Sequence, residues 1–182
     1  MRTERDGFSG TQRVLHWLMA ITVLAMLFIG VSMVSTLKPR FLILISIHKP
    51  LGIAILALTV LRLGVRWRLG APPLPDNLPQ IQALAAKLSH YVLYGLLIAT
   101  PLVGWGMLSA GGYPIVLYGS LHLPAILPHN DQSYAILRAT HTVLAYMFFA
   151  TILLHVAAAL FHALIRGDGV FRAMAGIGPR NQ

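Results

Sequence analysis

Eight histidines and no cysteine set the chemistry open to this 182-residue chain. Without thiols there is no disulfide, thiolate metal site, iron–sulfur cluster, cysteine nucleophile or thioether attachment of a haem. Redox or metal chemistry must run through nitrogen, oxygen or thioether ligands. His16, His48, His90, His141 and His155 fall inside long apolar stretches, and His162 closes the last of them. His122 and His129 lie in a turn-rich segment, where a solvated surface role is the plainer reading. An ionisable side chain within a membrane helix marks function by default.

His141 and His155 are fourteen residues apart. On an α-helix that is nearly four whole turns, so both rings share a face and stand about 21 Å apart along the axis. Two inward imidazoles at two depths suit two cofactors stacked across a bilayer. Each needs a partner at its own level. His48, near the outer end of the second apolar stretch, is level with His141, and His16, near the inner end of the first, with His155. One buried histidine is ordinarily a satisfied interhelical hydrogen bond, but four that pair by face and depth argue for bis-histidine haem. Transport of zinc or copper is the alternative; it normally adds carboxylate or sulfur ligands at one depth. No Asp or Glu lies in any of the apolar stretches.

Small residues follow the ligand candidates: Gly52, Ala54 and Ala57 after His48, and Ala157, Ala158 and Ala159 after His155. They leave room for a porphyrin and serve plain helix packing equally well. Arg62 follows His48 by fourteen residues, on the same face and about 21 Å deeper. Two readings stay open for it: pairing with the propionates of an inner haem, or snorkelling to the interface.

The elements that must position these rings follow from composition. Hydrophobic residues make up 57% and charged residues 10% of the chain, against about 25% charged in soluble domains. So short a chain cannot hide that much apolar surface in water. Four stretches reach the roughly 20 residues that a membrane helix needs: about 15–34, 42–65, 84–108 and 134–165. The first is too long for a signal-peptide core and lacks a small-residue cleavage site, so it is expected to be retained. Arg2, Arg5, Arg13, Arg62, Arg66, Arg68, Lys87, Arg166, Arg172 and Arg180 fall on one side, against Lys38, Arg40, Lys49 and Arg138 on the other. The positive-inside rule then puts both termini in the cytoplasm. APPLPDNLP ends the second helix, and the segment 109–133, with its GG, YP, LP and LPHND signals, reads as an outer cap. The expectation is an all-α, single-domain, four-helix transmembrane bundle over residues 1–182, N-in and C-in, enclosing two haem b groups. The net charge of +9 is read as topology and lipid contact, with no nucleic-acid partner.

Four segments carry a family resemblance: RVLHWLMA, SIHKPLGIAILALTVLRLGVRW, LSHYVLYGLLIATPLVGWGMLS and HTVLAYMFFATILLHVAAALFHALIRGDGVFRAMAG. In order and spacing they resemble the bacterial cytochrome b561 family, dihaem proteins of the inner membrane. The resemblance implies that His16 and His155 ligate the inner haem iron and His48 and His141 the outer one, the same pairs that the depth argument gives. His90, in LSHYVLY, is not carried over as a ligand, and by depth it is the rival of His16.

A bis-histidine iron has no open position, so electron transfer is expected. The resemblance implies a superoxide:ubiquinone oxidoreductase, with ubiquinone as bound or reacting quinone. Lys38, Arg40, Lys49 and Arg138 form an outer cationic rim that fits either steering of a small anion or lipid headgroups. His162 is seven residues after His155, about 20° off the same face. With Trp17 it is a candidate for the quinone head group, the alternatives being a solvated His162 and an interfacial Trp17. No side chain is assigned a catalytic role. A different class of function is a haem b membrane anchor passing electrons between a partner dehydrogenase or hydrogenase and quinone, with the outer segment as its docking surface.

Overall fold

The structure, a computed structural model, describes residues 7–36, 39–73, 78–119 and 121–176. Arg2, Arg5, Lys38 and Arg180 of the charge pattern lie outside them. Four long helices account for most of the chain: α1 (Gly10–Val34), α2 (Arg40–Leu69), α3 (Gln80–Ala110) and α4 (Asp131–Phe161). A π-helical turn, His162–Arg166, extends α4, and a short α5 (Val170–Ala175) follows. All four long helices have the length and composition to cross a membrane.

The helices outrun the apolar stretches because polar ends continue them into the interface. α1 begins before its first apolar run because Ser9 and Gln12 form a reciprocal capping box, each side chain bonding the other's backbone amide. Gln12 also donates from Nε2 to the carbonyl of Gly70 at 2.7 Å, tying the start of α1 to the end of α2. Gly70 stops α2 in a conformation (φ 74°) that residues with a Cβ rarely adopt. At α4, the Asn130 side chain accepts from the amide of Ser133 at 2.8 Å. Pro50 and Pro101 sit inside α2 and α3, as membrane helices tolerate.

α1 packs on α2 and α3 on α4, with thinner contact between the two pairs. The buried centre is Met19, Val23, Ile55, Leu96, Leu97 and Phe148, drawn from all four helices. The outward faces carry Phe28, Val34, Ile81, Leu154 and many other exposed large apolar side chains. In water such a surface would aggregate; in hydrocarbon it is the expected face.

At one end of the bundle the Phe8 amide meets the Ala173 carbonyl at 3.3 Å, which brings the start of α1 and the short α5 together. At the other end the segment between α3 and α4 is structured. It folds into an antiparallel hairpin of β1 (Ile115–Tyr118) and β2 (Leu121–Leu123), two strands too short to register as period-2 patterns in the sequence. The cap is seated on its own bundle. Lys49 donates to the carbonyl of Pro114 (3.2 Å), Trp105 to that of Pro124 (2.9 Å), and the Ile126 amide to Ser109 Oγ (3.1 Å). Gly111 allows this closure: a Cβ there would lie 2.7 Å from the Tyr113 ring and 2.8 Å from that of Tyr134.

Candidate functional site

Two imidazole pairs lie between the helix pairs, one toward each end of α4. Near the cap, His48 of α2 faces His141 of α4 with ring centres 6.2 Å apart and planes at 72°. Toward the opposite end, His16 of α1 faces His155 of α4 at 6.4 Å, again at 72°. Two imidazoles bridged by one metal at about 2 Å per bond have ring centres a little over about 6 Å apart. Phe148 of the buried centre stands seven residues from each α4 histidine.

The pair near the cap is held from behind. His141 Nδ1 lies 3.1 Å from the Thr100 carbonyl oxygen. A carbonyl only accepts, so Nδ1 carries the proton and Nε2 keeps its lone pair for a ligand. Gly104, one turn further along α3, provides the space: a Cβ there would come within 3.1 Å of His141 Cε1. His48 Nδ1 and Thr100 Oγ1 are buried without a hydrogen-bond partner.

The inner pair has a third ring beside it. His90 of α3 stands 5.7 Å from His155, its plane turned 80°. Its Nδ1 donates to the Ala86 carbonyl at 2.6 Å, so its Nε2 also bears a lone pair. His16 and His90 thus flank His155 from two helices, and the longer His16 separation is the one that matches a shared metal. Arg62 donates from Nε to the Tyr94 hydroxyl at 3.1 Å, while its Nη1 is buried with no partner. A buried guanidinium with an unsatisfied donor is costly in a protein interior, and an acceptor brought to Nη1 would relieve it. Facing imidazoles at a separation that one metal can bridge fit a haem iron.

His162 and Trp17 both meet the region of α5. Trp17 Nε1 donates to the Met174 carbonyl at 3.4 Å and its ring packs edge-on to His16. His162 Nδ1 lies 2.6 Å from Asp168 Oδ2. Asp168 also accepts from Arg166 Nε (3.1 Å) and the Val170 amide (3.2 Å), and its side chain is 2% exposed. Burial alone would raise its pKa. The His162 hydrogen bond, the Val170 amide and the charges of His162 and Arg166 outweigh that and hold it below the ordinary value. Sequence reasoning missed Asp168. The signal was available, since it is the sole acid in the GDG turn that follows the last span. Of the outer cations described, Arg40 and Arg138 are exposed, and Lys49 is drawn to the cap. His122 is exposed on β2, and His129 Nδ1 donates to the Ala110 carbonyl at 2.9 Å.

Comparison with known proteins decides the family. The profile of the prokaryotic cytochrome b561 family matches residues 7–176. This chain belongs to the prokaryotic cytochrome b561 family. Cytochrome b561 homolog 2 of Escherichia coli K12 is 33% identical over 166 residues, 88% of this chain and 87% of its own. Cytochrome b561 homolog 1 of the same organism is 30% identical over 173 residues, covering 93% and 97%. A protein of Yersinia pestis named probable superoxide oxidase CybB is 35% identical over 133 residues, covering 70% and 72%. Cytochromes b561 are membrane proteins that bind haem b and carry electrons, and this b561 has the four apolar helices and the facing imidazoles for that work.

Proposed function

We propose that this cytochrome b561 is a single transmembrane domain of the bacterial inner membrane that holds two haem b groups and passes electrons from superoxide to ubiquinone. Both termini lie in the cytoplasm, so the hairpin cap faces the periplasm. The observation that carries this is the stacking of two imidazole pairs, at 6.2 and 6.4 Å, on one face of α4. His48 and His141 hold the outer iron, and His16 and His155 the inner one. Each haem supplies a one-electron centre whose potential the protein tunes.

The chain's own residues do the rest. Thr100 fixes the His141 tautomer, and Arg62 neutralises propionate charge at the inner site. Arg40, Lys49 and Arg138, with Lys38, raise the local concentration of a small anion at the outer end. Trp17 and His162 contact the quinone head group at the inner end. The balance is two superoxide anions oxidised to two molecules of oxygen while one quinone takes up two electrons and two protons. The similarity to the Yersinia pestis protein supports superoxide as donor. The alternative of an anchor subunit draws less support, because the cap that would dock a partner is bonded to its own helices.

The test is stopped-flow reduction of the purified protein by superoxide, followed by reoxidation with ubiquinone. Superoxide-driven quinol formation without a second protein is the expected result. Electron delivery only from a co-purifying dehydrogenase would replace this reading with the anchor subunit.

A further inference from the structure

The group at the end of α4 that the electron path leaves unexplained is the buried carboxylate of Asp168. Among the described residues it has three partners, His162, Arg166 and the Val170 amide. Two of them serve architecture. The Val170 bond starts α5, and Arg166 reaches on from Nη1 to Gln82 Oε1 of α3 at 2.8 Å, pinning the π turn to the bundle. The third bond does more than architecture requires. At 2.6 Å, between a carboxylate oxygen and an imidazole nitrogen, it fixes which nitrogen of His162 carries the retained proton and which way the ring faces. Nδ1 is committed to Asp168. Nε2 is the nitrogen left for chemistry.

Beside it is an open cavity of about 180 Å³ lined by His162, Ala163, Gly167, Gly169, Phe171 and Arg172. Its wall combines an aromatic ring, an imidazole and a cation with glycine and alanine, a lining suited to a flat ring bearing carbonyl oxygens. Among the described residues, the charged groups around His162 are Asp168 and Arg166 from the turn and Arg172 from α5.

We infer that Asp168 is the positioning residue of a proton-delivery pair, in which His162 protonates the quinone oxygen as the quinone is reduced. The inference rests on the reading that quinone is reduced at this end of the bundle. Reduction of one quinone consumes two electrons, which arrive from superoxide, and two protons. His162 releases one proton from Nε2 to the carbonyl oxygen, passing from imidazolium to the neutral ring that keeps its Nδ1 proton on Asp168. The second proton, and the one that recharges His162, come from water at this end. Asp168 retains its charge throughout, as the orienting carboxylate of a catalytic histidine does.

The experiment compares native protein, Asp168→Asn, Asp168→Glu, Arg166→Gln and His162→Gln. For each, reduction by superoxide, reoxidation by a water-soluble ubiquinone analogue and equilibrium binding of that analogue are measured. Asp168→Asn should slow reoxidation about 10²-fold, the scale of a lost general acid, with reduction, spectrum and analogue affinity unchanged. Asp168→Glu should recover most of the rate. Arg166→Gln breaks the tie to α3 but spares the imidazole–carboxylate pair, and should reoxidise much as native protein does. Should Asp168→Asn fail to accumulate, His162→Gln, which has no proton to release, is read in its place and should show the same kinetic split. Equal losses in Arg166→Gln and Asp168→Asn, or a glutamate variant no better than the asparagine one, would make Asp168 purely architectural and overturn the inference. If His162→Gln reoxidises normally, quinone is reduced elsewhere, and the underlying reading of this end falls with it.

Discussion

Replacing Gly104 with alanine separates helix stability from cofactor binding. In a helix interior, alanine is favoured over glycine by roughly 1 kcal/mol, so the substitution should stabilise α3 if nothing else intervened. The new Cβ, however, meets His141 Cε1 at 3.1 Å and Nδ1 at 3.3 Å, and the ring must retreat by a few tenths of an ångström. It is already 3.1 Å from the Thr100 carbonyl. A retreat of that size takes the bond to about 3.5 Å, where it no longer counts as a hydrogen bond. Losing the partner that orients a metal-bound histidine typically weakens the metal about 10- to 100-fold, equivalent to about 1.4 to 2.7 kcal/mol. Haem titration of the apoprotein, followed optically, is the assay. The outer haem should bind about 10- to 100-fold more weakly while the inner one is unaffected. Gly95→Ala on the same helix, where a Cβ meets nothing within 4 Å, should leave both sites intact. Native affinity in Gly104→Ala, or loss confined to the inner haem, would refute the packing argument.

Other outcomes follow from the same geometry. His48→Ala and His141→Ala should abolish the same spectral component, and His16→Ala and His155→Ala the other. His90→Ala should keep both, whereas loss of the inner haem there with retention in His16→Ala would exchange the two assignments. The rate of reduction by superoxide should fall with added salt, because screening cuts the reach of the rim charges to about 8 Å at physiological ionic strength. Neutralising Lys38, Arg40 and Lys49 together should flatten that dependence without moving either spectrum. Asp168, whose folded pKa is depressed, stabilises the turn fully above its ordinary value of 3.8 and loses that contribution as pH falls through the lower folded value. Hydrogen exchange across α5 should therefore quicken below that pH in native protein and hold steady above it.

The four helices were legible because lipid demands long apolar runs, and the histidines because they are rare inside such runs. Depth and helical phase place His141 and His155 on one face from the sequence alone, and the structure sets His48 and His16 opposite them. What escaped depends on contacts that span the chain. Nothing local marks Gly104 as the residue that clears space for His141. The Tyr94 hydroxyl on Arg62 joins positions 32 residues apart. The hairpin in the cap is too short for a periodic signal, and its Pro and Gly residues read equally well as loop. The π turn at His162–Arg166 continues the apolar pattern of α4, so only the closing Gly167, at φ 61°, announces it. Asp168 was overlooked because it follows the last span, where charge is ordinarily solvated; a 2.6 Å bond to an imidazole and near-complete burial set it apart.

The central claim is that one chain holds two haem b groups between paired histidines, and the most direct measurement is the haem-to-protein ratio of the purified protein. A pyridine haemochrome assay against amino-acid analysis, after expression with ample haem, should approach two haems per chain, all of it extractable by acid acetone. A ratio near one would dismantle the two-site account, and protein purified free of haem would contradict it outright.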